Sequence, residues 1–380
     1  MKLAVGARGA ILSVAFFLFV AIATVLWAQS LSKPVAESIP VYDDALQESI
    51  ARELQDFIDW LEENDAEGYI GELGWPSGEG DEKWSKLADV WYTKAEKNGL
   101  WTSIWAGGSW WGEYPLTVYG SVPYGKKVLS VVYPQATVFE HYAFNNPRHG
   151  VNIAGMEFSD PSAQAPGNSG EDYFYEKEAS FAFLESRGIK TIRLPFSWER
   201  VQPELDGPLK ESEVEAIGQA LTMAAAHDIK VVLDLHNYGK YNDSNGVTHV
   251  IGVDKGMDGY LIDVWKKLGA TFGSHPGLLG YGIMNEPNDL GPGDSYTPQL
   301  MWEKLTQQVV TELRNTGDDN LIFIPGYDWS SVARWRINHP SAWINDPAGN
   351  IRYEAHHYWD SSGSGVYGLS YNDELKYLHP

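Results

Sequence analysis

Residues 278–287 read LLGYGIMNEP. The run opens apolar and closes on Asn285, Glu286 and Pro287. A short apolar run bounded by turn residues has the character of a strand buried on both faces. Its polar end is the informative part, because it carries an amide and a carboxylate to the edge of a core. Seven more runs read as strands of the same kind. In chain order the eight are GYIGEL (68–73), LWTSIWA (100–106), GVNIAG (150–155), TIRLPF (191–196), KVVLDLH (230–236), LLGYGIMNE (278–286), LIFIPG (321–326) and RYEAHHY (352–358). Between them lie stretches with apolar residues at helical spacing. Leu46, Ile50, Leu54, Phe57, Ile58 and Leu61 form one, and others lie near 82–98, 174–187, 211–227, 257–272 and 299–315. Eight buried strands alternating with helices predict an α/β chain closed into a (β/α)8 barrel.

A barrel of this class builds its site at the C-terminal ends of the strands. Polar or ionisable residues and one indole stand there: Glu72, Trp105, Arg193, His236, Asn285, Glu286, His356 and Tyr358. One such residue reads as a cap or a loop hydrogen bond. Eight on six of the runs read as residues converging on one mouth. Two glutamates on different strands, with an arginine and two histidines at hand, have the makings of paired-carboxylate chemistry. Glycoside hydrolysis needs one carboxyl held as an acid and one ionised. Arg193 is the natural cation to keep Glu72 ionised.

Composition narrows the classes. The chain has 380 residues, 43% hydrophobic and 21% charged, enough for one large globular domain or two modest ones. With 28 Lys and Arg against 51 Asp and Glu, the net charge is −23. Nucleic acid and anionic membranes are therefore poor partners. There is no Cys, which removes disulfides, thiolate metal sites and Cys nucleophiles. The 16 Trp and 21 Tyr serve either a large aromatic core or stacking against sugar rings.

Residues 1–30 carry Lys2 and Arg8 ahead of an apolar stretch from Ala10 to Trp27, with small and polar residues around Ala28. This is secretory-signal logic, with an uncleaved anchor as the alternative. The expected organisation is a signal peptide or anchor over 1–28, a linker over 29–42 and a single barrel over 43–380. The body is expected to be exported and secreted.

The segments GVNIAGMEF (150–158), RLPFSWER (193–200), LDLHNY (233–238), MNEP (284–287) and YEAHHY (353–358) resemble glycoside hydrolase family 5, most of all its endo-β-1,4-glucanase (cellulase) members. IGELG (70–74) and IWAGG (104–108) complete the set, which spans nearly all of 45–375. The resemblance implies retaining cleavage of internal β-1,4 bonds without cofactor or metal. It implies Glu286 as acid/base, Glu72 as nucleophile and Asn285 on the sugar 2-hydroxyl. It also implies Arg193 and Tyr358 on Glu72, His236 and His356 shaping the sugar site, and Trp105 beneath the reactive sugar. Trp198, Tyr238, Trp329, Trp359, Trp110 and Trp111 are candidate outer subsite rings, each equally readable as core or wall. A neutral polysaccharide suits the acidic chain, which is expected to act as a monomer.

The motif order departs from the family. There the nucleophile and Trp motifs end strands seven and eight, whereas here they come first. The resemblance therefore implies a circularly permuted TIM barrel in which the family's strands seven and eight precede strands one to six. Residues 119–149 would bridge the ancestral termini. Strands one and eight of a closed barrel are neighbours, so the old ends can be joined. A fragment cut across tandem domains, or a gene-assembly error, is the alternative reading.

Other chemistries fit worse. No G-x-S-x-G elbow occurs. GSVPYGKK (120–127) approaches a P-loop but lacks the closing Ser or Thr. His356 and His357 are adjacent on a strand and should face opposite ways. NDSNG (242–246) lacks calcium-loop spacing. Two further readings stay open: hydrolysis of another β-glycan such as mannan, xyloglucan or mixed-linkage glucan, and a non-catalytic glycan-binding barrel.

Overall fold

The computed structural model of the chain describes residues 42–78, 81–111, 114–122, 128–158 and 167–378. The expected leader and all but the last residue of the expected linker lie outside the described residues, as do residues 123–127 of the bridging segment.

Eight parallel strands close into a barrel. They are β1 (Gly68–Leu73), β2 (Trp101–Gly107), β5 (His149–Ile153), β6 (Thr191–Phe196), β7 (Lys230–Leu235), β10 (Leu278–Gly282), β11 (Leu321–Pro325) and β12 (Ile351–His356). Each pairs with the next in this order, and β1 pairs with both β2 and β12. All eight runs read from the sequence are these strands. The short strands β3 (Tyr119–Gly120) and β4 (Val131–Val132) extend the edge of β2, and β8 (Lys240–Asn242) with β9 (Thr248–Val250) makes an antiparallel hairpin.

Helices form the outer layer. In chain order they are α1 (Ala45–Glu63), α2 (Glu82–Lys97), α3 (Ala136–Ala143), α4 (Glu178–Ser186), α5 (Trp198–Val201), α6 (Glu211–Ala226), α7 (Met257–Phe272), α8 (Pro298–Asn315), α9 (Trp335–Asn338) and α10 (Tyr371–Leu378). α1 starts where the Asp44 side chain accepts from the backbone N–H of Leu46 and Gln47, at 3.1 and 3.2 Å. Its stripe from Leu46 to Leu61 is buried against the barrel, as its spacing requires. Helix α4 is shorter than its apolar pattern, which begins near residue 174.

Residues 119–149 are more than a connection. They hold β3, β4 and α3, and they bring β5 parallel to β2. Tyr119 and Phe139 are buried there, and the Tyr119 hydroxyl donates to Glu140 Oε1 at 2.8 Å. The segment thus serves as the crossover that a parallel pair of strands demands.

Nine of the sixteen tryptophans are among the largest fully buried side chains, including Trp60, Trp75 and Trp265. The aromatic excess is therefore largely a core. Trp198 and Trp359 belong to it, which favours the core reading of the two offered for them, although Trp359 also lines the cleft beside Glu286. Trp198 packs edge-on to Tyr241 and donates to Gln202, while Trp359 stacks on Trp75.

Candidate active site

Arg193, on β6, sits wholly buried at the centre of the barrel mouth. Its Nη1 donates to Glu72 Oε1 at 3.1 Å and to Asn152 Oδ1 at 2.9 Å. Its Nη2 donates to Asn285 Oδ1 at 2.7 Å and lies 2.9 Å from Asp234 Oδ1 and 3.2 Å from Glu354 Oε1. One guanidinium thereby ties together four other barrel strands and the turn after β10. Burial disfavours its charge, but Asp234, Glu354 and Glu72 outweigh that and keep it firmly cationic. The Tyr358 hydroxyl donates to the second oxygen of Glu72 at 2.8 Å.

Glu286 follows β10 on a tight turn. Its φ of 41° is in the left-handed region, which a non-glycine residue occupies only when its surroundings hold it. The holding bonds are visible. Asn285 N–H donates to Leu235 O at 2.7 Å, Tyr238 N–H to Asn285 O at 3.1 Å and Asp328 N–H to Pro287 O at 2.9 Å. The side chain of Glu286 is 15% exposed, against 5% for Glu72. One carboxylate oxygen of each, with a ring nitrogen of His356, lie within 4.8 Å of one another.

The two histidines differ in what meets each nitrogen. His356 Nδ1 faces Glu286 Oε1 at 2.7 Å, and its Nε2 faces Glu354 Oε1 at 3.4 Å. With an ionised carboxylate against each nitrogen both would donate, an arrangement that favours the imidazolium. His236 Nδ1 faces Asp234 Oδ2 at 2.8 Å, and its Nε2 faces the Asn285 amide nitrogen at 3.2 Å. Asn285 uses its oxygen on Arg193, so its NH2 points at His236 Nε2, which must accept. That ring is neutral. Titration agrees. Burial pulls His236 down to about 3. Burial also pulls at His356, but Glu72, Glu286 and Glu354 outweigh it and push it up to about 10. Burial raises the Glu72 carboxyl and Glu286 adds to that, against the opposing pull of His356 and Arg193.

Trp105 ends β2 with its indole nearly parallel to the His236 ring, centroids 5.6 Å apart at 16°. Trp111 and Phe158 meet Trp105 edge-on at 6.1 and 6.2 Å, and Trp110 lies 6.2 Å from Phe158. On the other side, a cleft of about 420 Å3 is lined by Glu286, Trp329, His356 and Tyr358, and by Ile50 and Glu53 of α1. Trp329 is 48% exposed and meets Tyr238 edge-on at 6.0 Å. Tyr238, Trp329, Trp110 and Trp111 therefore remain at the mouth. His357, on the opposite strand face, accepts from Trp91 Nε1 at 3.0 Å and meets Glu53 Oε2 at 3.3 Å at the cleft's edge.

The sequence reading missed Asn152, Asp234 and Glu354. All three are buried on Arg193. Asp234 and Glu354 stand two residues before His236 and His356, so the period-two rule puts each carboxyl on the same strand face as its histidine. That spacing was the available signal.

A closed parallel barrel whose mouth pairs two carboxylates over a buried arginine is the architecture of the barrel glycoside hydrolases. The chain belongs to the cellulase family, glycosyl hydrolase family 5, whose model matches residues 144–376. It is similar to the "Manganese dependent endoglucanase Eg5A" of Phanerodontia chrysosporium, 28% identical over 240 residues, 60% of this chain and 57% of the relative. Among solved structures it resembles the Pseudomonas stutzeri endoglucanase Cel5A in complex with cellobiose. That match is 42% identical, with a TM-score of 0.52, over 58% of this chain and 62% of the other. It also resembles XacCel5A in complex with cellopentaose, at 34% identity and a TM-score of 0.51, over 60% of this chain and 72% of that one. The chain thus spans about 60% of the length of the first relatives it matches.

One relative's name carries manganese. Glu72, Glu286 and His356 are close enough to share an ion. Both nitrogens of His356 face carboxylates, however, and those neighbours hold the ring toward its doubly protonated form, which has no lone pair for a metal. The trio does not fit a resident cation.

Proposed function

We propose that the chain is a retaining endo-β-1,4-glucanase acting on cellulose-type β-glucans. The observation that carries this reading is the closeness of Glu72 and Glu286, with carboxylate oxygens within 4.8 Å. Retaining enzymes hold the pair about 5–5.5 Å apart, and inverting ones about 6.5–9.5 Å. In the first step a Glu72 oxygen bonds to the anomeric carbon while the glycosidic bond breaks. Glu286 gives its proton to the departing oxygen. In the second step water attacks the anomeric carbon, Glu286 takes the water's proton, and the bond to Glu72 breaks. Asn285 meets the sugar 2-hydroxyl, and Arg193 with Tyr358 aims the Glu72 carboxylate. Trp105 supports the reactive sugar. Tyr238 and Trp329 serve the leaving-group side, and Trp110 and Trp111 serve the opposite side.

We also propose that the barrel is a circular permutant, exported and monomeric. The family match begins at residue 144. β1 and β2 precede it, yet they close the barrel between β12 and β5 and bring Glu72 and Trp105. A chain rejoined to run from 144 to 378 and then through 42–143 should fold to the same barrel with similar activity. An insoluble product would count against permutation.

The first test is reducing-end release from a soluble cellulose derivative, with mannan and xyloglucan alongside. Glu72→Gln should lose about 10³-fold or more, as expected for a covalent nucleophile. Proton NMR should show the β-anomer forming first. Glycan binding without turnover would favour the non-catalytic barrel instead.

A further inference from the structure

Glu354 is fully buried on β12, and no step above uses it. Its Oε1 lies 3.2 Å from Arg193 Nη2 and 3.4 Å from His356 Nε2, while its Oε2 has no partner among the described residues. Arg193 already has Glu72 and Asp234 as counter-charges, so neutralising the arginine does not account for a third carboxylate. The chain also leaves room for it. A Cβ at Gly71, the residue before Glu72, would meet Glu354 Oε1 at 2.0 Å and His356 Nε2 at 2.9 Å. Any side chain at that position would displace the carboxylate from the histidine.

We propose that Glu354 is a positioning residue for Glu286 that acts through His356, fixing the ring and keeping both its nitrogens protonated. The proposal rests on reading Glu286 as the acid/base. With Nε2–H held by Glu354, Nδ1–H is aimed at Glu286 Oε1 through the catalytic cycle. The cation then faces both Glu72 and Glu286 as charge moves between them. The groups facing Glu354 are Arg193 of β6, Asp234 and His236 of β7, Tyr69 of β1 and His356 of its own strand. Those facing His356 are Glu72, Glu286 and Glu354, with Asp234 and His236 of the neighbouring strand end also in its field. Arg193 and His356 outweigh burial and hold the Glu354 carboxyl below its ordinary range, so it is an anion when it meets the ring.

The test is a pH titration of ring nitrogens by NMR on histidine-labelled protein, with His356 assigned by the signal lost in His356→Asn. In the wild type the His356 ring should stay cationic through about pH 8. In Glu354→Gln its midpoint should fall by about one pH unit or more. The alkaline limb of kcat should move the same way. On a His356→Asn background, Glu354→Gln should change kcat by less than about two-fold, because its route is gone. Identical His356 titrations in the two proteins, or losses that multiply, would overturn the proposal. If Glu354→Gln does not fold, Glu354→Asp takes its place, drawing the charge back by one methylene. A smaller downward shift is then expected, and no shift overturns the proposal. If the wild type hydrolyses no β-glucan, the proposed function falls, while the titration still decides for or against Glu354.

Discussion

Two barrel strands end in the same small device. β7 closes on Asp234-Leu-His236 and β12 on Glu354-Ala-His356, each placing a buried carboxylate and a histidine on one face. Both carboxylates touch Arg193, and a bare glycine makes space for each. Gly71 does so for Glu354, and Gly282, whose Cβ would meet Asp234 Oδ1 at 2.8 Å, does so for Asp234. The two rings nevertheless carry opposite charge. His236 gives its second nitrogen to an amide NH2, whereas His356 gives its second nitrogen to a carboxylate. Protonation in this mouth is therefore decided by the partner on the far side of each ring. The motif on the strand does not decide it. The neutral ring lies against the indole of Trp105. The cationic ring lies against the Glu286 carboxyl.

The most damaging way to break this pairing is to remove what the halves share. Arg193→Met would leave Glu72, Asp234 and Glu354 buried without their common counter-charge. Breaking a buried ion pair from one side costs about 3–5 kcal/mol. The melting temperature should drop on the order of 10 °C, and activity should vanish with it. A variant melting within about 2 °C of the wild type would show that the guanidinium is not the shared tie.

Most of the fold, and the residues lining the mouth, were legible because barrel strands are read locally. Each is an apolar run whose polar end announces the catalytic face, and a change of order along the chain leaves each run intact. Asp234 and Glu354 were missed because they sit inside their runs, one step below the obvious residues, where a carboxylate looks like a break in the strand. Trp198 and Trp359 stayed open between core and mouth because the burial of a single indole depends on which helices and loops pack over it. Helices α3 and α10 were missed for a related reason. At eight residues each, they show too few turns for a period to emerge.

A sharper comparison comes from stability against pH, where the two histidines should pull in opposite directions. An unfolded histidine titrates near its ordinary value of about 6.5. His236 resists protonation in the fold down to about 3, so its contribution is present above 6.5 and is lost as pH falls through that window. His356 keeps its proton up to about 10, so its contribution is complete below 6.5 and is lost as pH rises toward 10. His236→Asn should flatten the acid side of the melting profile, and His356→Asn the alkaline side. Each effect should be roughly 3–6 °C between about pH 7 and the affected extreme. Melting curves at about pH 4, 7 and 9.5 decide it. If both variants flatten the same side, the opposite protonation of the two rings is wrong.

The smallest expected effect concerns metal. Chelation with EDTA should leave the rate within about two-fold, since an imidazolium whose two N–H groups are both engaged offers no lone pair to an ion. Added manganese would have to displace that proton, so any effect should be inhibitory and should strengthen as pH approaches 10, where His356 begins to lose it. The opposite pattern, loss on chelation with recovery on manganese at neutral pH, would require a neutral His356 ligating through one nitrogen. His356 would then resemble His236, Glu354 would no longer explain its charge, and the asymmetry between the two strand ends would need another cause.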